Sequence, residues 1–132
     1  MEYSLGMSPE AEIRELLSTY ERALNTDDTA LAVSCYTEDG VFMPTTLPTA
    51  AGHGLTEAYA QTFQAIHLDV EFTIDELVVA SDTVAYALTR SAGQQTVHST
   101  GQRSAESNRE MFVFTAADGP WKIARYIFNK PN

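Results

Sequence analysis

Apolar residues recur three and four positions apart in the first half of this chain and two apart in much of the second, which predicts helices first and a sheet afterwards. Ile13, Leu16, Leu17, Tyr20 and Leu24 make the stripe of a first amphipathic helix. Ser8-Pro9-Glu10 supplies its start, an N-cap followed by proline in the first turn. Asn25 to Asp28 break the pattern, and Asp27 or Asp28 can cap a short second helix carrying Leu31, Val33, Cys35 and Tyr36 and ending near Thr37. Glu38-Asp39-Gly40 reads as a turn into Val41-Phe42-Met43, a strand stopped by Pro44. Thr45 to Gly54 has loop composition. A third helix begins at Leu55 and carries Ala58, Tyr59, Thr62, Phe63 and Ile66 on one side.

After His67 the period drops to two. Leu68, Val70, Phe72 and Ile74 alternate with Asp69, Glu71, Thr73 and Asp75, the pattern of a strand with one buried face, and Leu77 to Val79 extend it. Ser81-Asp82-Thr83 turns the chain into a strand over Val84 to Arg90, and the polar stretch from Ser91 to Ser107 reads as strand ends around a long connection. Asn108 to Thr115 and Trp121 to Asn129 flank Asp118-Gly119, a hairpin signal. Helices followed by antiparallel strands imply an α+β domain, and without repeat or linker the whole of 1–132 reads as one domain.

Strict alternation through that hairpin divides its side chains into two sets. Glu110, Phe112, Phe114, Trp121, Ile123, Arg125 and Ile127 fall on one face; Arg109, Met111, Val113, Ala124, Tyr126 and Phe128 fall on the other, joined by Tyr86, Leu88 and Arg90 from the neighbouring strand. The second set is the expected pocket wall. A Glu110–Arg125 pair on the first set would serve packing at the dimer face.

Composition narrows the function classes. Hydrophobic residues at 44% suit a folded globular chain, and a formal charge of −10 opposes steering toward phosphate backbones or anionic lipid, so neither nucleic acid nor a membrane is expected as partner. Cys35 is the single cysteine and reads as a small buried hydrophobe. Met1 to Met7 carries no basic residue or apolar run, and no stretch is apolar enough to cross a bilayer, so a cytoplasmic location is expected. His53, His67 and His98 lack metal-ligand spacing, and no phosphate loop, dinucleotide fingerprint or nucleophile elbow occurs, so no metal or cofactor is expected. His67, at a helix-to-strand junction, is the one histidine placed to act as a base.

The order of elements, together with Leu17-Ser18-Thr19-Tyr20-Glu21, Tyr36-Thr37-Glu38-Asp39-Gly40-Val41-Phe42 and Gly119-Pro120-Trp121-Lys122-Ile123, resembles the nuclear transport factor 2-like superfamily, and more narrowly its SnoaL-like and ketosteroid isomerase-like branch. The tail from Asn108 to Asn129 is similar to a group of that branch found around secondary metabolism. The resemblance implies a cone: three N-terminal helices packed in a strongly curved, mostly antiparallel sheet, open at one end over an apolar pocket and dimerising through the outer sheet face.

It also implies a site. Tyr20 falls where that branch places its pocket tyrosine, with the alternative that it is a core tyrosine satisfied by backbone. Phe42, Tyr59, Phe63, Tyr86, Leu88, Arg90, Arg109, Met111, Tyr126 and Phe128 are the substrate-binding candidates, the arginines having solvent-facing strand ends as their alternative. The branch's base would align at Phe42-Met43-Pro44 and its protonated acid near Met111, both apolar here, with Glu110 adjacent. The implied function is binding of a small hydrophobic ligand. One form is a cofactor-independent isomerase or cyclase acting on a polyketide-like or aromatic carbonyl compound; the others are a non-catalytic binding protein and a dimeric interaction module.

Overall fold

The computed structural model describes residues 7–131. Helix α1 (Pro9–Asn25) begins at the expected cap, with Ser8 Oγ accepting the Ala11 N–H at 3.1 Å and Pro9 in the first turn. Asp27, at φ 56°, turns the chain, and Asp28 caps α2 (Thr29–Ser34) by accepting the Leu31 N–H at 3.0 Å. α2 stops short of Thr37. The backbone there is taken by the sheet: the Ile123 N–H bonds to Cys35 O at 2.8 Å, and Tyr36 opens strand β1 (Tyr36–Met43). The expected turn at Glu38-Asp39-Gly40 is instead an irregular stretch inside β1, where its register with the last strand shifts between Tyr36 and Val41. Gly40 is required in that bow, because a Cβ would lie 2.7 Å from the Tyr36 ring.

Within the expected loop, a two-residue strand β2 (Ala50–Ala51) pairs with β1. Helix α3 (Gly54–Ala65) follows, then the long strands β3 (Ile66–Val79), β4 (Val84–Val97) and β5 (Arg103–Thr115), and finally β6 (Lys122–Asn129). They form one curved, unclosed six-stranded sheet in the order β2-β1-β6-β5-β4-β3, antiparallel except between β1 and β6. The expected long connection after Ser91 is absent. β4 and β5 stay paired from Val84↔Thr115 to Thr96↔Arg103, leaving a short turn. Polarity in this stretch marks what its inner side chains do, since Ser91, Asn108 and Glu106 hydrogen-bond among themselves inside the curve.

Two devices bend the sheet around the helices. Gly93 lets β4 pass so close to β3 that a Cβ there would overlap the Asp69 carbonyl and sit 2.8 Å from Val70 Cα. The free edge of β3 is then closed by α1. Asn25 donates to Val70 O at 2.8 Å and accepts from Val70 N at 2.9 Å, while Glu21 accepts the Phe72 N–H at 2.8 Å. Satisfying edge groups with helix side chains removes a template for further strand pairing.

A bulge in the last hairpin decides which residues line the interior. Val113 pairs with Arg125 and Phe114 with Ile123, so Ala124 is an extra residue and β6 changes phase there. Trp121 and Ile123 face the core before it; Tyr126 and Phe128 turn to the same side after it. On β5 the inward residues are Asn108, Glu110, Phe112 and Phe114. Met111, Arg109, Leu88, Arg90 and Tyr86, expected in the pocket wall, therefore lie on the outer face, opposite their buried neighbours on β4 and β5. Glu110 and Arg125 are on opposite faces and do not pair; Arg125 Nη1 reaches Ala124 O and Asp39 O instead.

Candidate functional site

Rings contributed by α1, α3 and three strands meet beneath the helices. Tyr59, Phe42, Tyr126, Phe112 and Phe114 form one continuous stack, with successive centroids 5.1, 5.3, 4.1 and 5.7 Å apart and planes within 12° of parallel. Tyr20, inserted from α1, meets Tyr36, Tyr59, Phe112 and Tyr126 edge-on at 5.7 to 6.3 Å. Each such pair adds about 0.5–1.5 kcal/mol beyond its area. The wall is thereby held as a unit.

The phenols of this cluster form a chain. Tyr36 Oη lies 2.7 Å from Tyr59 Oη, which lies 2.5 Å from Tyr20 Oη, all buried. Three hydroxyls joined by two hydrogen bonds use two of their three protons. Oriented from Tyr36 through Tyr59 to Tyr20, the chain leaves the Tyr20 proton free to be donated. Tyr20 and Tyr59 line a partly open cavity of about 330 Å³, and Tyr36 stands behind them. Burial raises the pKa of all three well above the ordinary phenol value, so each remains a neutral donor at physiological pH.

Of the residues expected at the site, Tyr20, Phe42, Tyr59, Tyr126 and Phe128 line this cavity, and Phe63 packs behind Tyr59 at 6.0 Å. The outer-face residues are elsewhere. Arg90 Nε donates to Asp75 Oδ1 at 3.0 Å and Arg109 Nε to Asn129 Oδ1 at 2.5 Å, both exposed. His67 is also apart, its Nδ1 3.1 Å from Asp27 Oδ1 outside the cavity. Cys35 is buried against Leu31 O at 3.4 Å, and burial pushes its thiol up to about 11, so it is not a poised nucleophile. Among the described residues no three His, Cys, Asp or Glu side chains come together as a metal-binding group.

Sequence reasoning set Glu110 beside the expected acid position but on the face away from the pocket, and placed none of Ser91, Glu106 or Lys130 at the cavity. Glu110 is buried beneath the floor and accepts from Thr89 Oγ1 at 2.6 Å and from Ser91 Oγ at 2.5 Å. Desolvation raises its pKa, opposed by those two hydroxyls. Ser91 itself reaches the cavity wall, beside Asn108, Glu106 and Lys130. The signal was legible. Glu106, Asn108 and Glu110 share the even-numbered face of β5 with Phe112 and Phe114, and two consecutive inward phenylalanines carry the preceding even positions inside with them. Tyr36 was hidden differently, because it was assigned to a helix.

The remaining cavity wall is mostly apolar, from Leu24 on α1, Phe42 and Pro44 at the end of β1, and Ile66, Leu68 and Val70 on β3, with Thr45, Thr62 and Gln95 as its polar members. No carboxylate stands at the end of β1. A second groove of about 530 Å³ runs outward between α3 and the 44–48 loop and shares Phe42, Leu47 and Thr62 with the first. No described helix is long and apolar enough to cross a membrane.

A solved ketosteroid isomerase-like protein from Erwinia carotovora atroseptica superposes with a TM-score of 0.87 at 31% identity, covering 92% of this chain and 95% of that one. A nuclear transport factor 2-like superfamily protein from Salmonella enterica superposes at 0.82 with 17% identity, over 94% and 92% of the two chains. A conserved protein from Planctomyces limnophilus does so at 0.79 with 23% identity, over 91% and 95%. These last two share the fold. No curated protein matches the chain. The SnoaL-like domain matches residues 17–126, and with the cone-shaped sheet and the structural neighbours this places the chain in the SnoaL-like family.

Proposed function

We propose that this protein is a cofactor-independent isomerase or cyclase-type enzyme that binds a flat, hydrophobic carbonyl compound of aromatic or polyketide-like character. The observation that carries this reading is the chain of three buried phenols ending at the cavity wall. A carbonyl oxygen beside Tyr20 would receive its free proton in a dry, fixed environment, where a preorganised donor stabilises the negative charge that develops on enolisation. Tyr59 and Tyr36 strengthen that donor by polarising the bonds behind it. The stacked rings offer flat faces to a flat ligand. Glu110 supplies a proton-exchanging group, and Ser91 Oγ, bonded to it and lining the cavity, is the atom through which it reaches a bound molecule.

Hydrogen–deuterium exchange tests this directly. 2-Acetylnaphthalene incubated with the protein in D2O should lose its acetyl methyl proton signal faster than in buffer, and Tyr20→Phe should slow the protein-dependent rate by about 10²–10³, the usual cost of removing one oxyanion donor. A second reading is a non-catalytic ligand-binding protein, favoured by Phe42 and Pro44 standing where a base would be needed. Saturable binding of the same probe with exchange no faster than in buffer selects that reading.

The outer face belongs to a separate part of the proposal. Leu88, Met111, Ile127 and Met43 are register neighbours across four strands, each about 40% exposed. Two copies of the chain associating through this row would cover it, consistent with the rarity of large exposed apolar patches on monomers. The formal charge of −10 suits a small-molecule protein rather than one steered toward nucleic acid or anionic lipid, and a cytoplasmic location is part of the same proposal.

A further inference from the structure

The groove between α3 and the 44–48 loop, about 530 Å³ in volume, has no part in the chemistry described so far. Five residues border both it and the phenol-lined cavity: Pro44 and Leu47 from the loop on one bank, Thr62 and Ile66 from α3 and the start of β3 on the other, and Phe42 from β1. A dividing wall would be shared from one side only. Here both banks are shared, so the groove opens from the cavity. Its link to the phenols runs through touching rings, since Phe42 stacks on Tyr59 with centroids 5.1 Å apart and Tyr59 Oη bonds to Tyr20 Oη.

The groove offers apolar contact and little else. Beyond the shared residues it is bordered by Pro48, Ala58 and Ala65, and its polar side chains on α3 bond within the helix. Thr62 Oγ1 donates to Ala58 O at 2.9 Å, and Gln61 Nε2 donates to Glu57 Oε2 at 3.1 Å. Leu47, where the groove meets the cavity, is 62% exposed. The loop holds it there at a cost: Thr46, the residue before it, takes φ 60° without being glycine, and Pro44 and Pro48 bracket the segment. Such strain persists where the surroundings over-determine it, and it gathers at ligand clamps. A leucine kept out of the core by a strained loop, above an apolar groove, is placed to close over something apolar.

We propose that the groove is a tail site, and that the molecule bound here is a ring ketone carrying an aliphatic tail of several carbons. This deepens the reading of the cavity as a carbonyl-binding site and rests on it. The ring system lies against the stacked rings of the cavity. The tail runs past Phe42 and along α3 beside Leu47, where its methylenes leave water.

Three probes titrated by fluorescence into the whole chain test this. They are 2-acetylnaphthalene; 2-octanoylnaphthalene, whose six additional carbons leave from the carbonyl; and 6-hexyl-2-acetylnaphthalene, whose six leave from the far ring. At least one tailed probe is expected to bind more tightly than 2-acetylnaphthalene by about tenfold or more. Ala58→Trp fills the groove from a residue that does not border the cavity, and Gln61→Trp does so from an exposed position on the same helix. Each should cut that gain to within about twofold and leave 2-acetylnaphthalene unchanged. No gain from either tail in the unaltered protein overturns the proposal, as does a gain that survives both substitutions. If the gain survives and Ala58→Trp turns a dimer into a monomer in light scattering, the groove receives a second copy of the chain and the proposal falls. Tyr20-dependent binding of 2-acetylnaphthalene shows in each of these cases that the cavity reading stands, whereas binding of none of the three probes overturns both.

Discussion

The inner and outer faces of the sheet are built from the same strands and differ in nearly everything else. Inside, Phe112 and Phe114 are fully buried in a stack of five rings; outside, their chain neighbour Met111 is 40% exposed in an apolar row. The inner face also carries the hydrogen-bonded polar groups, Glu110 with Thr89 and Ser91 and Asn108 with Glu106. The outer face pairs its charges only with exposed partners, as Arg90 does with Asp75. One side is organised around a cavity, and the other carries the exposed apolar row.

Adjacent substitutions on β5 should show this contrast at its largest. Phe112→Ala removes the middle of the ring stack and is expected to cost about 3–5 kcal/mol in urea unfolding. Met111→Ala, one residue away, should cost less than about 1 kcal/mol under conditions where the chain is monomeric. Equal losses would mean the outer row is as tightly packed as the inner one.

Function should follow the same division. Tyr20→Phe keeps the ring and its edge-on contacts and loses the terminal donor, so the acetyl exchange rate should fall by about 10²–10³, while stability drops by only about 1 kcal/mol, the net worth of one hydrogen bond. Leu88→Ala on the outer face should leave that rate unchanged.

A smaller effect is expected from Glu110, and it should depend on pH. Burial raises its folded-state pKa above the unfolded value, so its contribution to stability is complete below the ordinary glutamate value of about 4.3 and is lost as the pH rises through the raised value. Glu110→Gln, which cannot ionise, should melt within a degree or so of the unaltered protein near pH 4 and a few degrees above it near pH 8. A Tm difference that is the same at both ends would show that Glu110 is not titrating in the fold.

The smallest effect on the fold should come from Met111→Lys. It is expected to convert a dimer to a monomer in light scattering at micromolar concentration, with the affinity for 2-acetylnaphthalene within about twofold. If the unaltered chain is already monomeric, the outer row is not an interface between copies.

The same contrast explains what could be read from the residues alone. The helical stripe from Ile13 to Leu24 and the alternation from Leu68 to Ile74 were legible because each follows from repeating geometry within one segment, and Tyr20 was placed inward by its position on the stripe. That local logic also gave the helices-then-sheet order, while the strong curvature of the sheet was implied by the family resemblance. It failed where pairing with a distant strand decided the matter. Tyr36 left its expected helix because Ile123, far along the chain, took the adjacent carbonyl. Tyr86, Leu88, Arg90, Arg109 and Met111 fell outside because one unpaired residue, Ala124, moved Tyr126 and Phe128 to the side of Phe112. Side-chain periodicity is a property of one segment and is written in its residues. The phase between two strands is set by their shared hydrogen bonds, and a single bulge inverts it, so only the folded chain decided that Tyr126 and Phe128 share a side with Phe112 and Asn108.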